Sequence, residues 1–220
     1  MREFWKWLVD TDAGLLTRIG IGAMIFLALA LTDLRRHGPR ATRWREYLFL
    51  LAVVVVAMAY GAVNDLITSR ISWEYFYYFK DLMKTLGATT PPDPTALTWG
   101  AAKIGVAASW SAGLIVAVAM LLANNPRPGL PQLPYLKMFP LLANILLCCL
   151  ACALVLGEAG YMGWLAKTSS DFRELVLHDE FRPYRFMAVY GIHLGAYVGG
   201  AIGMGWAVWT IRRSLRRMAA

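Results

Sequence analysis

Residues 47–80 read YLFLLAVVVVAMAYGAVNDLITSRISWEYFYYFK. The first part, residues 47–68, is apolar enough to be a membrane helix, and between 50 and 56 it carries no polar side-chain atom. Twenty-two helical residues rise about 33 Å, which matches a hydrocarbon layer of about 30 Å. The second part keeps charges where such a run should have none. Asp65 and Glu74 flank Arg70, and Trp73, Tyr75, Phe76, Tyr77 and Tyr78 crowd behind them. An ionised carboxylate alone in hydrocarbon is unfavourable by about 3 kcal/mol on insertion scales, so Asp65 calls for a partner. Arg70 is the nearest cation in sequence and the expected counter-ion.

Asp65 and Glu74 are nine residues apart, which on one unbroken helix places them on opposite faces. They converge only if the helix breaks near Ser69 and Arg70 and a second, interfacial helix begins, with Ser72 as its cap. The apolar face of that helix would hold Ile71, Tyr75, Tyr78 and Leu82.

The rest of the chain is built in the same way. Of its 220 residues 58% are hydrophobic and 16% charged, against about 45–50% and about 25% in soluble domains. Apolar runs predict five spans, at about 15–33, 47–68, 99–123, 139–158 and 186–211, and hence an all-α integral membrane protein forming a single transmembrane domain. A four-span version with one re-entrant or interfacial helix is the alternative. The run at 19–31 could mimic a signal peptide ending at Ala28-Leu29-Ala30, but the arginines after it mark it as a membrane helix. Residues 1–14 suit a short interfacial helix, with Trp5 and Trp7 at headgroup level. In the loop at 87–100, Pro91, Pro92 and Pro94 are expected to exclude helix.

The net charge of +8 lies in short clusters beside the spans, which is how topology is encoded, so nucleic acid is not the expected partner. Arg35, Arg36, Arg40, Arg43 and Arg45, then Arg127 and Lys137, then Arg212, Arg213, Arg216 and Arg217 all fall on one side, with only Asp33 and Glu46 as acids. The positive-inside rule makes that side cytoplasmic, with the N-terminus outside and the C-terminus inside. A bacterial inner membrane is the expected location. The other twelve acids gather on the outer side or in the outer ends of helices.

In the last span Gly191, Gly195, Gly199 and Gly203 recur every fourth residue. Such a stripe lets another helix approach closely. Packing within the chain is the first reading, and a homo-oligomer or partner-subunit contact the second. His193 lies off the stripe on one face with Tyr190 and Tyr197. It is seven residues past Phe186, about 10 Å into the layer, level with Asp65. The two can meet if the second and fifth spans are neighbours. Glu158 and Lys103 are a second expected pair. His178, Asp179 and Glu180 sit in the polar loop at 160–185.

Carboxylates and imidazoles are ligands for divalent transition metals, which makes Asp65, Glu74, His178 and His193 candidate ligands. No H-E-x-x-H or similar signature accompanies them. Cys148, Cys149 and Cys152 lie in one apolar run and read as packing residues. Haem is disfavoured by a single intramembrane histidine, and no phosphate-binding glycine loop or serine elbow is present.

Residues 64–71, NDLITSRI, succeeded by Glu74-Tyr75-Phe76, resemble the H-D-Q-I-T-x-R and E-Y-F motifs of a bacterial family of small, uncharacterised multi-pass membrane proteins. Ala188, His193 and Tyr197 match that family's A-x-x-x-x-H-x-x-x-Y pattern in the last helix. The resemblance implies a fold and a set of polar positions, not a reaction. Asn64 stands in place of the family's histidine, and Val189 in place of an acid.

These features lead to one expected site at the outer boundary. Asp65, Glu74 and His193 would act as metal ligands, or as acid and base on a lipid or small molecule. A non-catalytic accessory or assembly subunit is the alternative, and a small transporter the third reading.

Overall fold

The computed structural model describes residues 11–87, 91–165 and 182–219. Five long helices account for most of it: α1 (Asp12–His37), α2 (Trp44–Ile71), α3 (Pro94–Ala123), α4 (Phe139–Tyr161) and α5 (Pro183–Ala219). All five are long and apolar enough to cross a membrane, and the described residues contain no strand. The chain is a multi-pass, all-α membrane protein. The interfacial helix expected at 1–14 falls largely outside the described residues.

The helix ends differ from expectation where the caps lie. Thr11 accepts a hydrogen bond from the Gly14 backbone N–H at 2.9 Å and starts α1 early. Asp93 does the same for α3, accepting from Ala96 N–H at 2.7 Å. Pro94 therefore does not exclude helix but occupies its first turn, where the missing N–H costs no bond and the fixed φ already suits a helix. At the other extreme α5 runs on through Arg216 and Arg217 to Ala219.

The helices pair through glycine. The α4/α5 contact is the most extensive in the molecule, with α2/α3 second. A Cβ placed on Gly191, Gly195 or Gly199 would lie 2.0, 2.3 and 2.2 Å from the carbonyl oxygens of Leu156, Cys152 and Cys148. The small-residue stripe is thus filled by α4 of the same chain, and the cysteine run lies along its seam, all three thiols free. On the other pair, Gly61 and Gly105 bring α2 and α3 backbone to backbone. Such close approach suits a layer in which no hydrophobic effect drives helices together and packing must do so.

Two buried clusters join the pairs. At the arginine-rich end Phe49, Val53, Met120, Met138, Ile211 and Leu215 form one buried cluster. At the opposite, aromatic end Tyr75, Phe76, Tyr77, Leu97, Phe186 and Val189 form another. The α1 helix stands outside this arrangement, packing mainly on α2. Asp33 ties its end down by accepting from the Trp44 N–H at 3.0 Å, with His37 Nδ1 2.9 Å from its other oxygen.

Candidate functional site

The aromatic end takes its shape from the segment beyond α2. The helix continues through Ser69 and Arg70, past the expected break, and stops at Ser72, whose backbone is extended at φ −143° and ψ 107°. Ser72 does cap the next segment, its Oγ accepting from Tyr75 N–H at 3.3 Å. That segment is not the expected amphipathic α-helix but a π-helical turn, Tyr75–Phe79. Lys80 N–H reaches back five residues to the Tyr75 carbonyl at 3.0 Å, and Asp81 closes the turn at φ 59°. The wide turn buries three consecutive aromatics, Tyr75, Phe76 and Tyr77, at 2, 0 and 0% exposure. No single α-helical face could bury three neighbours in a row, so burial extends beyond the expected Ile71, Tyr75, Tyr78 and Leu82, all four of which pack into the same cluster. π turns of this kind occur frequently at functional sites.

Glu74 anchors this plug. It is 1% exposed and accepts from Ser72 Oγ at 2.7 Å and from the Arg182 backbone N–H at 3.3 Å. It thereby sits at the start of α5, where a helix dipole favours a carboxylate. Arg70, expected to neutralise Asp65 and Glu74, is exposed. Among the described residues no ion pair involves it. The reason is geometric: continuing α2 past Ser69 carries Arg70 to the face away from Asp65.

Beneath the plug, Asp65 and His193 come together. Asp65 Oδ1 lies 3.6 Å from His193 Nε2, beyond hydrogen-bond length, and their side chains are 4 and 13% exposed. Asn64 Nδ2 donates to the same Asp65 oxygen at 3.1 Å. The imidazole stacks on the Tyr75 ring with centroids 4.9 Å apart and planes 18° apart, and meets the edge of Phe76 at 5.8 Å. His193 Nε2 is buried without a hydrogen-bond partner. A buried polar nitrogen left without a partner is costly, and such groups mark sites.

Both side chains line a cavity of about 250 Å³ between the two helix pairs. Lys80 lines it as well, its ammonium 5.6 Å from the Tyr75 ring centroid and 5.5 Å from that of Phe79. Burial lowers the Lys80 pKa, while the Asp65 charge pulls it back up. Below these three groups the walls are mostly apolar, interrupted by Tyr60 and Ser109, and reach Val53 on α2 and Met204 on α5. Tyr197 also lines the cavity but is 55% exposed, at its rim.

Glu74 does not line the cavity, and His178 lies outside the described residues, with Asp179 and Glu180. Among the described residues no group of three or more His, Cys, Asp and Glu side chains gathers that could hold a metal ion. Among the described residues Asp65 and His193 supply two donors, where a catalytic zinc site uses three. Glu158 is exposed on α4, and Lys103 lines a separate hollow with Leu82 and Trp99.

Sequence reasoning missed Lys80. Its position depends on the π turn, which adds a residue to the register and carries no hydropathy signature. Chemically, the arrangement is a carboxylate–imidazole pair with an adjacent ammonium, covered above by aromatics and continued below by a mostly apolar slot. Such a pair can hold a hydrogen-bonding atom and pass a proton to or from it. No protein family, curated protein or solved structure matches the chain, and its site is therefore read from its own geometry.

Proposed function

We propose that this membrane protein binds a small amphiphilic molecule between its two helix pairs and engages the molecule's polar group with Asp65 and His193, which act on it as acid and base. The observation that carries this reading is His193 Nε2, buried without a partner 3.6 Å from Asp65 at the polar end of the cavity. A purely structural histidine would complete its hydrogen bonds within the protein. Apolar walls with a few convergent polar groups are the usual make-up of a small-molecule site. The arginine clusters at the opposite end favour an outer-side site in a bacterial inner membrane by the positive-inside rule.

The test is retention. Wild type, Asp65→Asn and His193→Gln are purified in parallel, and the small molecules they carry are extracted and identified by mass spectrometry. Wild type should retain one species in near-stoichiometric amount, and both variants should lose it with melting temperatures unchanged. Equal retention in all three, or none in wild type, rejects the reading.

A further inference from the structure

The opening of the cavity identifies what enters it. Of its lining residues, Ile115 on α3 is 61% exposed and Tyr197 on α5 is 55% exposed, and Ala201 on α5 is exposed as well. All three lie within the apolar stretches of their helices, so the mouth faces the hydrocarbon layer between α3 and α5. At the other end Tyr75 and Phe76 cover the His193 ring and are buried in the aromatic cluster with Tyr77. A ligand reaching Asp65 and His193 by this mouth comes through lipid.

Volume limits its shape. From Asp65 to Val53 is twelve residues of α2, about 18 Å of helix rise. A cavity of about 250 Å³ spread over that length is smaller than the 300–1,000 Å³ of drug-sized pockets. It accepts one chain, not the two of a phospholipid. Charge limits its head. The polar end already contains one carboxyl group, Asp65, and one amino group, Lys80, both lining the cavity. A charged head group would add a charge without a counter-charge of its own, which is costly in a hydrocarbon layer. An uncharged oxygen, hydroxyl or carbonyl, supplies the hydrogen-bond partner that His193 Nε2 lacks.

We therefore infer that the ligand is a single-chain lipid with an uncharged oxygen head group, taken laterally from the membrane through the gap between α3 and α5. This rests on the binding reading above and adds chain number, head charge and route. The experiment uses the full-length protein in bicelles with a diazirine-bearing long-chain fatty alcohol as probe. Photolysis should attach it to peptides containing Cys149 or Met204. Ala201→Trp, which fills the mouth, should reduce these adducts about tenfold or more, as a loss of one decade in affinity or access. Ile115→Trp, on the opposite lip, should do the same, so that misfolding of one variant does not decide the result. Unlabelled fatty alcohol should compete, whereas the fatty acid of equal length and phosphatidylcholine should not. Adducts that persist in both tryptophan variants, or equal competition by acid or phospholipid, overturn the inference. The retention test separates the two levels: a charged or two-chain molecule lost from Asp65→Asn ends this inference and leaves the binding reading standing.

Discussion

Replacing Gly195 by alanine tests the packing on which the site depends. The added Cβ would stand 2.3 Å from the Cys152 carbonyl oxygen, 2.6 Å from its carbonyl carbon and 2.7 Å from Ala153 Cα. All three are backbone atoms of α4, so no side chain can rotate away. Ordinary contact begins near 3.4 Å, and the helices must separate locally by about 1 Å to reach it. Overpacking of this kind costs about 1–3 kcal/mol. Removing a helical glycine returns up to about 1 kcal/mol. The net expectation is destabilisation by about 1–2 kcal/mol. Gly205, on the same helix, has nothing within 4 Å of its Cβ position, so Gly205→Ala should gain stability by up to about 1 kcal/mol. Reversible unfolding in mixed detergent micelles, monitored by circular dichroism, measures both. Because spacing along α5 also sets the reach of His193, Gly195→Ala should weaken ligand retention as well. Equal stability of the two variants would refute the account of how α4 and α5 meet.

Other outcomes rest on single contacts. Asn124, fully buried, donates to the Leu133 carbonyl at 3.0 Å and accepts from its N–H at 2.8 Å; Asn124→Ala should cost about 2–4 kcal/mol in the same unfolding assay, by leaving two backbone groups unsatisfied. Asp33→Ala, which frees the Trp44 N–H, should cost about 1 kcal/mol and Asp33→Asn less. Lys80 titrates below an ordinary lysine because burial disfavours its charge, and the Asp65 charge partly offsets this. Asp65→Asn should therefore lower its pKa further, as read by NMR of the reductively methylated lysine. For the sign, a lysine with a depressed folded-state pKa favours unfolding once protonated. This penalty is absent above the unfolded pKa and grows as pH falls toward the folded one. It should be larger in Asp65→Asn than in wild type at neutral pH, and an unchanged pH profile would contradict the pairing.

Much of the fold was legible because hydropathy and the glycine period report directly on the surroundings of a helix. The five spans come from that, and so does the meeting of Asp65 and His193, since helix rise converts sequence position into depth. The site's remaining parts depend on information a single helix does not carry. Glu74 is engaged by a backbone N–H 108 positions away, a partner with no side-chain signature at all. Arg70 is nearest to Asp65 in sequence yet is carried off by the helix continuing two residues further than its composition indicates. The cavity is walled by both tightly packed helix pairs, a property of neither pair alone.

The π turn over the site makes the polar end sensitive to length as well as chemistry. One residue corresponds to about 100° of helical rotation, so deleting any residue of Tyr75–Phe79 would tighten the turn toward α-helix and swing Lys80 off the cavity. Substitutions there exchange one aromatic surface for another and leave the count intact. A chain with every site residue in place but one residue fewer in this turn would thus keep its carboxylate and imidazole and lose the cation. The five-residue span works as a ruler: it fixes where the positive charge is delivered by how many residues it holds.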